Sequence, residues 1–287
     1  MKIIDDLGDP VIANAARQWL VKPREGMFSV TELVAPTRLS ALRRQYWDQL
    51  EQNASDMIFA LMGNAMHEVL HKGAEGADAL SEHRMTDMIG DSVLTGALDY
   101  FSLGEDGTLV DYKNTSVYAI MDGPKPEWSQ QLNGYAMLLR REGKQPKRLV
   151  IRAILRDWSR AKMEREPDYP KSRVVTLEVP LWPEEQARSY FEGRAVALKA
   201  AVGASQDAIP VCSETERWAK PTTWAVMKPG AVRALRVLLS AEEASIWQAS
   251  QKNPGELVVQ HRPGESTRCK FYCPVSRMCS WWAKNAT

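Results

Sequence analysis

The chain has 287 residues, of which 44% are hydrophobic and 25% charged, and its formal net charge is +1 at pH 7. This composition is typical of an ordinary soluble globular protein. No apolar run approaches membrane-spanning length, and the N-terminus (MKIIDDLGDP) lacks a signal-peptide layout. We therefore expect a cytoplasmic protein with no membrane partner. Any DNA binding has to rest on local basic patches, because the net charge does not indicate it.

Three helices are predicted before residue 75. A short one runs from Asp9 to Leu20, and another lies within Phe28–Tyr46. We expect the second to have a basic surface, because it carries Arg38, Arg43 and Arg44. Apolar residues at helical spacing predict an amphipathic third helix over Asp56–Lys72.

A β-hairpin is predicted next. The apolar runs Val93–Phe101 and Leu109–Thr115 flank a Gly-Glu-Asp-Gly segment that favours a turn. Folding at this turn brings Asp99 across from the segment that holds Asp111 and Lys113. Side chains two apart on a strand share a face, so the second aspartate and the lysine point the same way.

The remaining elements complete an α/β domain with a mixed central sheet flanked by helices. A helix over Glu127–Glu142 precedes two strands, Leu149–Leu155 and Arg173–Val179, and a long helix follows Pro183 and reaches about Val202. The sequence character changes after residue 207. We therefore expect a core over residues 1–207 and, over 208–287, an extension that packs on it. The extension is predicted to contain a short strand pair, a helix and clustered cysteines.

Two carboxylates and a lysine on adjacent strands have an obvious chemical use. Hard oxygen ligands hold Mg²⁺ or Mn²⁺, which keeps several waters and binds phosphate oxygens. Such a metal lowers the pKa of a bound water, and a nearby ammonium stabilises developing charge. A solvated hairpin with a cross-strand ion pair is the alternative for the isolated Asp-x-Lys pattern.

Four short motifs occur in order along these elements. They are GxxxH at residues 63–67, TGxxD at 95–99, DxK at 111–113 and QxxxY at 131–135. In this order they resemble the PD-(D/E)xK nuclease superfamily, in its RecB-like branch. That branch includes helicase-associated nuclease domains, CRISPR-adaptation nucleases and phage recombination exonucleases. The resemblance implies a restriction-endonuclease-like fold.

The resemblance also implies a role for each motif residue. Asp99, Asp111 and His67 would hold the catalytic metal, and Tyr112 would add its backbone carbonyl. Lys113 would orient the attacking water. The QxxxY pair, Gln131 and Tyr135, would support the site and contact DNA.

The cysteines indicate a second metal site. Cys269, Cys273 and Cys279 lie within eleven residues, and Cys212 lies upstream. In a reducing compartment such clustering predicts metal or cluster ligands before disulfides. Family members with an iron–sulfur cluster usually take one cysteine from near the N-terminus, and the equivalent region here, residues 34–37, has none. With Cys212 as fourth ligand, either a [4Fe–4S] cluster or Zn²⁺ suits four thiolates. The other alternative is that these cysteines pack as small hydrophobic side chains.

The helix over 56–72 contains two further features. Gly63 in its interior costs up to about 1 kcal/mol relative to alanine, which suggests close approach by another element. His67, Glu68 and His71 form a literal HExxH, the signature of zinc metalloproteases. The protease alternative leaves the hairpin acids and the QxxxY helix without a role.

The resulting prediction is a Mg²⁺- or Mn²⁺-dependent deoxyribonuclease, more readily an exonuclease, acting in phage or mobile-element recombination or repair. Its partner is DNA, either single-stranded or duplex ends, and a recombination protein is a further candidate partner. A basic segment over residues 140–173 would contact phosphates, unless it is simply a solvated face. Trp128, Trp158 and Tyr169 would stack on bases, and Arg43 and Arg44 are further candidate DNA contacts. A non-catalytic DNA-binding module of the same fold is the remaining alternative.

Overall fold

The structure is a computed structural model that describes residues 1–286. The chain divides into two compact units, Met1–Ala204 and Ser205–Thr287, called here the core unit and the C-terminal unit. No helix among the described residues combines the length and apolar character that crossing a membrane requires.

The core unit contains eight strands and seven α-helices over residues 1–204. In chain order they are β1 Lys2–Ile4, α1 Pro10–Gln18, β2 Met27–Ser29, α2 Val30–Val34, α3 Thr37–Gln45, β3 Glu51–Asn53, α4 Ile58–Gly73, β4 Ala79–Ile89, β5 Ser92–Ser102, β6 Thr108–Thr115, α5 Pro126–Arg141, β7 Arg148–Leu155, α6 Arg160–Arg165, β8 Val174–Val179 and α7 Glu184–Ala201.

The central sheet has six strands in the order β2-β5-β6-β7-β8, with β4 paired to β5. Strands β2 and β5 are parallel, as are β6 and β7, and the other pairs are antiparallel. A parallel pair needs a long crossover, and α5 supplies it between β6 and β7. The prediction of an α/β unit with a mixed central sheet flanked by helices is confirmed.

Strand β4 is absent from the sequence-based prediction, although it is the main partner of β5. The two strands pair from Ala79 opposite Ser102 to Ile89 opposite Ser92. A two-residue Gly-Asp loop joins them, with Gly90 at φ +59°. A glycine followed by Asp between two strands is a hairpin signal that the sequence does contain.

Helix α5 packs against the sheet along a largely buried face. Its central residues, from Leu132 to Leu139, are all buried. Two glycines permit this packing. A Cβ at Gly96 would lie 2.9 Å from ring atoms of Tyr135, and one at Gly134 would lie 2.6 Å from Phe191 on α7. Gly96 therefore sets how closely α5 approaches the strand that carries Asp99.

The prediction of a basic surface over residues 28–46 is wrong. Arg38 is 4% exposed, and the Arg44 side chain is 9% exposed. Arg44 makes two 2.7 Å contacts to the carboxylate of Glu32 and donates to two backbone carbonyls. The sequence shows that the segment is basic, but it does not show that Arg44 points into the core unit and pairs with Glu32 on the preceding helix.

Helix α4 differs from expectation in two respects. None of its residues is fully buried, and Phe59, Met62 and Val69 are exposed. A Cβ at Gly63 would meet no atom within 4 Å, so the expected close approach is wrong. The amphipathic pattern thus does not anchor this helix in the core.

The C-terminal unit contains short elements around a small sheet. They are α8 Glu214–Arg217, β9 Ala219–Lys220, β10 Thr223–Met227, β11 Arg236–Leu238, α9 Ala241–Ala249, β12 Val258–Arg262, β13 Glu265–Ser266, α10 Thr267–Phe271 and α11 Ser280–Asn285. Strands β11, β10 and β12 form an antiparallel sheet. Val226, Ala244 and Leu257 form its core beneath α9.

Candidate active site

Three carboxylates lie in a row across β4, β5 and β6. Glu82 lies opposite Asp99, because the pairs on either side of it, Ser81 with Tyr100 and His83 with Leu98, continue one register. On the other side, β5 pairs with β6 through Tyr100 and Val110. Continuing that register by one position places Asp99 opposite Asp111. Residues directly opposite each other share a face of the sheet, so the three acids point to one side.

Asp99 is held at the centre of this row by two neighbours. The backbone N–H of Tyr112 donates to its Oδ2 at 2.7 Å. Nδ1 of His67, on α4, lies 3.3 Å from its Oδ1 and 3.4 Å from Oε1 of Glu82. One ligand atom from each of His67, Glu82 and Asp99 lies within 4.8 Å of the other two, a spacing that could hold a metal ion.

Glu82 combines an unfavourable electrostatic environment with a strained backbone. Burial, followed by the nearby charge of Asp99, raises the pKa of Glu82. Its backbone has φ +48°, which is strained for a residue with a side chain and costs on the order of 1–3 kcal/mol. The hydrogen bond to Asp99 is the main reason that the pKa of His67 is raised. A cation among these groups would remove the repulsion between the carboxylates.

A hydrogen-bonded chain leads from the row to α5. The ammonium of Lys113 lies 2.7 Å from Oδ2 of Asp111 and donates to its Oδ1 at 3.0 Å. It also donates to Oε1 of Gln131 at 3.1 Å. The amide nitrogen of Gln131 then donates to the hydroxyl of Tyr135 at 2.8 Å. The DxK and QxxxY residues therefore form one hydrogen-bonded network.

Asp111 is the most buried acid of the site, with 1% of its surface exposed. Burial raises its pKa to about 6, while the charge of Lys113 opposes that shift. Within the part of the chain that the structure describes, Oδ2 of Asp111 receives no well-aligned hydrogen bond. This oxygen is instead engaged by the ammonium of Lys113, 2.7 Å away, as an ion pair. The carboxylates and imidazole of the row nevertheless form a donor set that fits a hard divalent cation.

The structure thus regroups the predicted ligands. His67 and Asp99 meet, as predicted, but their immediate third partner is Glu82, which sequence reasoning missed. Asp111 is adjacent and engaged by Lys113. Tyr112 contacts Asp99 through its N–H. Glu82 could be found from sequence only by recognising β4 and counting its register from the Gly-Asp loop.

A cleft of about 340 Å³ opens over the part of the row formed by Glu82 and Asp99. Among the residues that line it are His67, His71, Ser81, Glu82, Asp99 and Tyr112. The HExxH residues do not act as a unit in it. Nδ1 of His71 lies 3.0 Å from the hydroxyl of Ser81, and Glu68 is 62% exposed and pairs with Lys72. This arrangement gives the protease alternative no base beside a metal.

The predicted DNA-contacting residues are partly occupied elsewhere. Tyr169 is buried rather than free to stack. Trp158 donates to the carbonyl of Pro170 at 2.8 Å, and the Arg173 guanidinium lies over its ring. Trp128 is half-buried beneath the ammonium of Lys125.

Arg43 is half-buried above a tryptophan ring, and burial lowers its pKa. Like Arg44, it serves the packing of the core unit.

The four cysteines lie together in the C-terminal unit. All four are half-buried, and none is joined to another in a disulfide. Burial raises the pKa of Cys212 to about 12, and the other three thiols add to that shift. Burial likewise raises the pKa of Cys273 to about 11. After burial, neighbouring thiols contribute to the raised pKa of Cys212, Cys269 and Cys273, so the cysteines lie close enough to influence one another. A bound metal would deprotonate such thiols.

Comparisons with known proteins give a distant structural likeness. No protein-family model matches the chain, and no curated protein matches it at a significant level. The crystal structure of SSO0001 is similar over 65% of this chain and 84% of its own, at 17% sequence identity and a TM-score of 0.47. A likeness at this level names no family, so the function has to be argued from the site itself.

Proposed function

We propose that the protein is a metal-dependent deoxyribonuclease with a restriction-endonuclease-like core. The observation that carries the proposal is the row of Glu82, Asp99 and Asp111, with Lys113 hydrogen-bonded to its innermost member. This combination fits phosphodiester hydrolysis, which needs oxygen ligands for a hard cation and a cation beside the reacting phosphate. The resemblance of the four motifs to RecB-like nucleases points to the same chemistry.

Each residue has a definite part in this mechanism. His67, Glu82 and Asp99 would hold Mg²⁺ or Mn²⁺, with the carboxylate of Asp111 beside them. The bound ion supplies Lewis-acid polarisation of the phosphate and a more acidic water. Lys113 orients the attacking water and offsets negative charge that develops on the phosphate. Gln131 fixes the ammonium, and Tyr135 fixes the amide of Gln131, so that α5 sets the direction of the lysine.

The broader role follows from the resemblance. We propose an exonuclease of recombination or repair, in a phage or mobile-element context, working with DNA and with a recombination partner. The four thiols of the C-terminal unit would hold a [4Fe–4S] cluster, with Zn²⁺ as the alternative, because four grouped cysteines suit both. Visible absorption of the purified protein, together with iron and zinc analysis, distinguishes the two.

The test is cleavage of end-labelled single-stranded and duplex DNA with Mg²⁺, Mn²⁺, Zn²⁺ or EDTA. Wild type should degrade DNA with Mg²⁺ or Mn²⁺, whereas Asp111→Asn and Lys113→Ala should not. Lys72→Ala, an exposed lysine of α4, is the matched control and should remain active. Cleavage by either site variant would contradict the assignment. DNA binding without cleavage by wild type would instead indicate a non-catalytic module. Casein hydrolysis that needs Zn²⁺ and His71 would indicate the protease.

A further inference from the structure

The C-terminal unit exposes three aromatic rings that touch one another. The ring centroids of Trp218 and Tyr272 are 5.4 Å apart, and those of Phe271 and Tyr272 are 6.3 Å apart. Trp218 is 40% exposed, Phe271 61% and Tyr272 65%. Single exposed apolar side chains are ordinary, whereas three contiguous aromatic rings indicate a binding surface.

Two cations accompany these rings. The guanidinium of Arg268 lies 5.0 Å from the centroid of Trp218, and the ammonium of Lys270 lies 5.5 Å from that of Phe271. Lys270 is paired with Glu265. Arg268 donates to the backbone carbonyl of Glu216 at 3.2 Å and forms no ion pair with a carboxylate among the described residues. Its positive charge is therefore available to an anionic ligand.

The backbone holds Trp218 in an unusual conformation. At the end of α8 it has φ +51°, the left-handed region that a bulky residue rarely adopts. A capping box between Ser213 and Glu216 fixes the start of this short helix, and the carbonyls of Glu214 and Thr215 accept the Trp218 N–H. The helix thus keeps an exposed indole in place against backbone strain, a situation more common at functional sites than elsewhere.

The same segments carry the cysteines. Cys269 lies between Arg268 and Lys270 in the chain, and Cys273 directly follows Tyr272. The neighbour of Trp218, Arg217, donates to the backbone carbonyl of Cys212. Whatever holds the four thiols together therefore also holds the rings and cations in register.

We propose that this aromatic patch, composed of Trp218, Arg268, Lys270, Phe271 and Tyr272, binds an unpaired DNA strand. Bases stack on the rings, and the uncompensated guanidinium contacts phosphate, the combination by which proteins bind single strands without reading sequence. The choice of DNA rests on the proposed function, but the binding does not require cleavage. A duplex buries its base faces and offers the rings no partner.

The test measures binding with the full-length Asp111→Asn protein, so that DNA is not degraded. Fluorescence anisotropy of labelled oligothymidylate and of a duplex of equal length gives Kd over a range of salt concentrations. Trp218→Ala and Arg268→Ala should each raise the single-strand Kd about tenfold and leave the duplex Kd little changed. Arg268→Ala should also reduce the slope of log Kd against log salt by about 0.7. Trp218→Phe should bind almost as the parent does.

Arg236→Ala is the matched control. Its guanidinium lies 5.9 Å from the centroid of Trp247, in the same unit but outside the aromatic patch, so its removal should not change Kd. Tyr272→Ser provides a further variant if Trp218→Ala does not fold, as judged by thermal unfolding.

Unchanged single-strand Kd in the folded patch variants would overturn the proposal. Self-association that Trp218→Ala abolishes, with DNA affinity intact, would also overturn it and assign the patch to a protein interface. Single-strand binding through the patch by a wild-type protein that cleaves no DNA would refute the nuclease and leave this inference standing.

Discussion

Glu82 lies directly across from Asp99 in the β4–β5 pair, and its backbone has a left-handed conformation. Two carboxylates opposite each other on one sheet face repel, and this arrangement lowers stability unless a cation lies between them. His67 reaches both acids from α4. The repulsion between Glu82 and Asp99 thus lowers local stability at the position where three candidate metal ligands meet.

Glu82→Gln should separate metal binding from stability. Without divalent cation the variant should be more stable than wild type, by roughly 0.2–1 kcal/mol, because the cross-strand repulsion is removed. Its affinity for Mn²⁺, measured by calorimetric titration, should fall at least tenfold, and DNA cleavage should fall with it. Glu68→Gln, an exposed glutamate of α4, should match wild type in both measurements. Mn²⁺ affinity equal to wild type in Glu82→Gln would remove this residue from the ligand set.

Asp111→Asn should raise stability in a pH-dependent way. Burial raises the pKa of Asp111 from 3.8 to about 6. Between these pH values the folded protein keeps a proton that the unfolded chain has lost, so the free energy of unfolding falls as pH rises. Without added divalent cation the variant should therefore exceed wild type by about 3 kcal/mol at pH 8, and the difference should vanish as the pH falls below 3.8. Thermal unfolding across this range measures it, and a difference that grows toward acid pH would contradict the burial argument.

Gly96→Ala should damage the site through packing. Its Cβ would lie 2.9 Å from the ring of Tyr135, so α5 would have to move away from β5, at a cost of about 1–3 kcal/mol. That movement should also weaken the contact of Gln131 with Lys113 and lower the cleavage rate. Gly63→Ala is the matched comparison. It adds a methyl group to α4 in open space and should stabilise by up to about 1 kcal/mol. Chemical denaturation of both variants provides the measurement.

Arg44→Ala should affect folding rather than DNA affinity. Its guanidinium binds Glu32 through two contacts of 2.7 Å and lies over the ring of Phe28. Removing it leaves a mostly buried carboxylate without a partner, which costs about 3–5 kcal/mol. Thermal unfolding should show this loss, whereas the protein that remains folded should bind DNA as wild type does. A stable variant with weakened DNA binding would restore the role predicted from sequence.

Cys273→Ser should weaken metal binding by the four cysteines of the C-terminal unit. Losing one of four thiolates should lower the iron or zinc content and, with it, single-strand DNA affinity, because the neighbouring Tyr272 belongs to the aromatic patch. Elemental analysis and anisotropy measure the two effects on the same sample. A variant with full metal content would exclude Cys273 as a ligand.

The sequence predicts those parts of the site that depend on local periodicity. Asp111 and Lys113 share a face because strand side chains alternate, and Gln131 and Tyr135 share one because helix side chains recur every fourth residue. Glu82 escapes prediction because its strand is polar and only the register across β4 and β5 brings it to Asp99. The inward turn of Arg44 escapes it because the partner, Glu32, lies on another helix. The register of the β4–β5 hairpin decides the first case, and packing between two separate helices decides the second.

The two helices that carry site residues, α4 and α5, differ in how deeply they are buried. Helix α4 carries His67 yet contributes no fully buried side chain, whereas α5, which carries Gln131, is buried at every position from Leu132 to Leu139. A helix with few buried contacts opens locally at low free-energy cost. Amide hydrogens of α4 should therefore exchange much faster than those of α5, and a metal at the site should slow them. When α4 opens locally, the imidazole of His67 leaves the site while the sheet with its carboxylates stays folded. This opening provides a route for metal and product to leave.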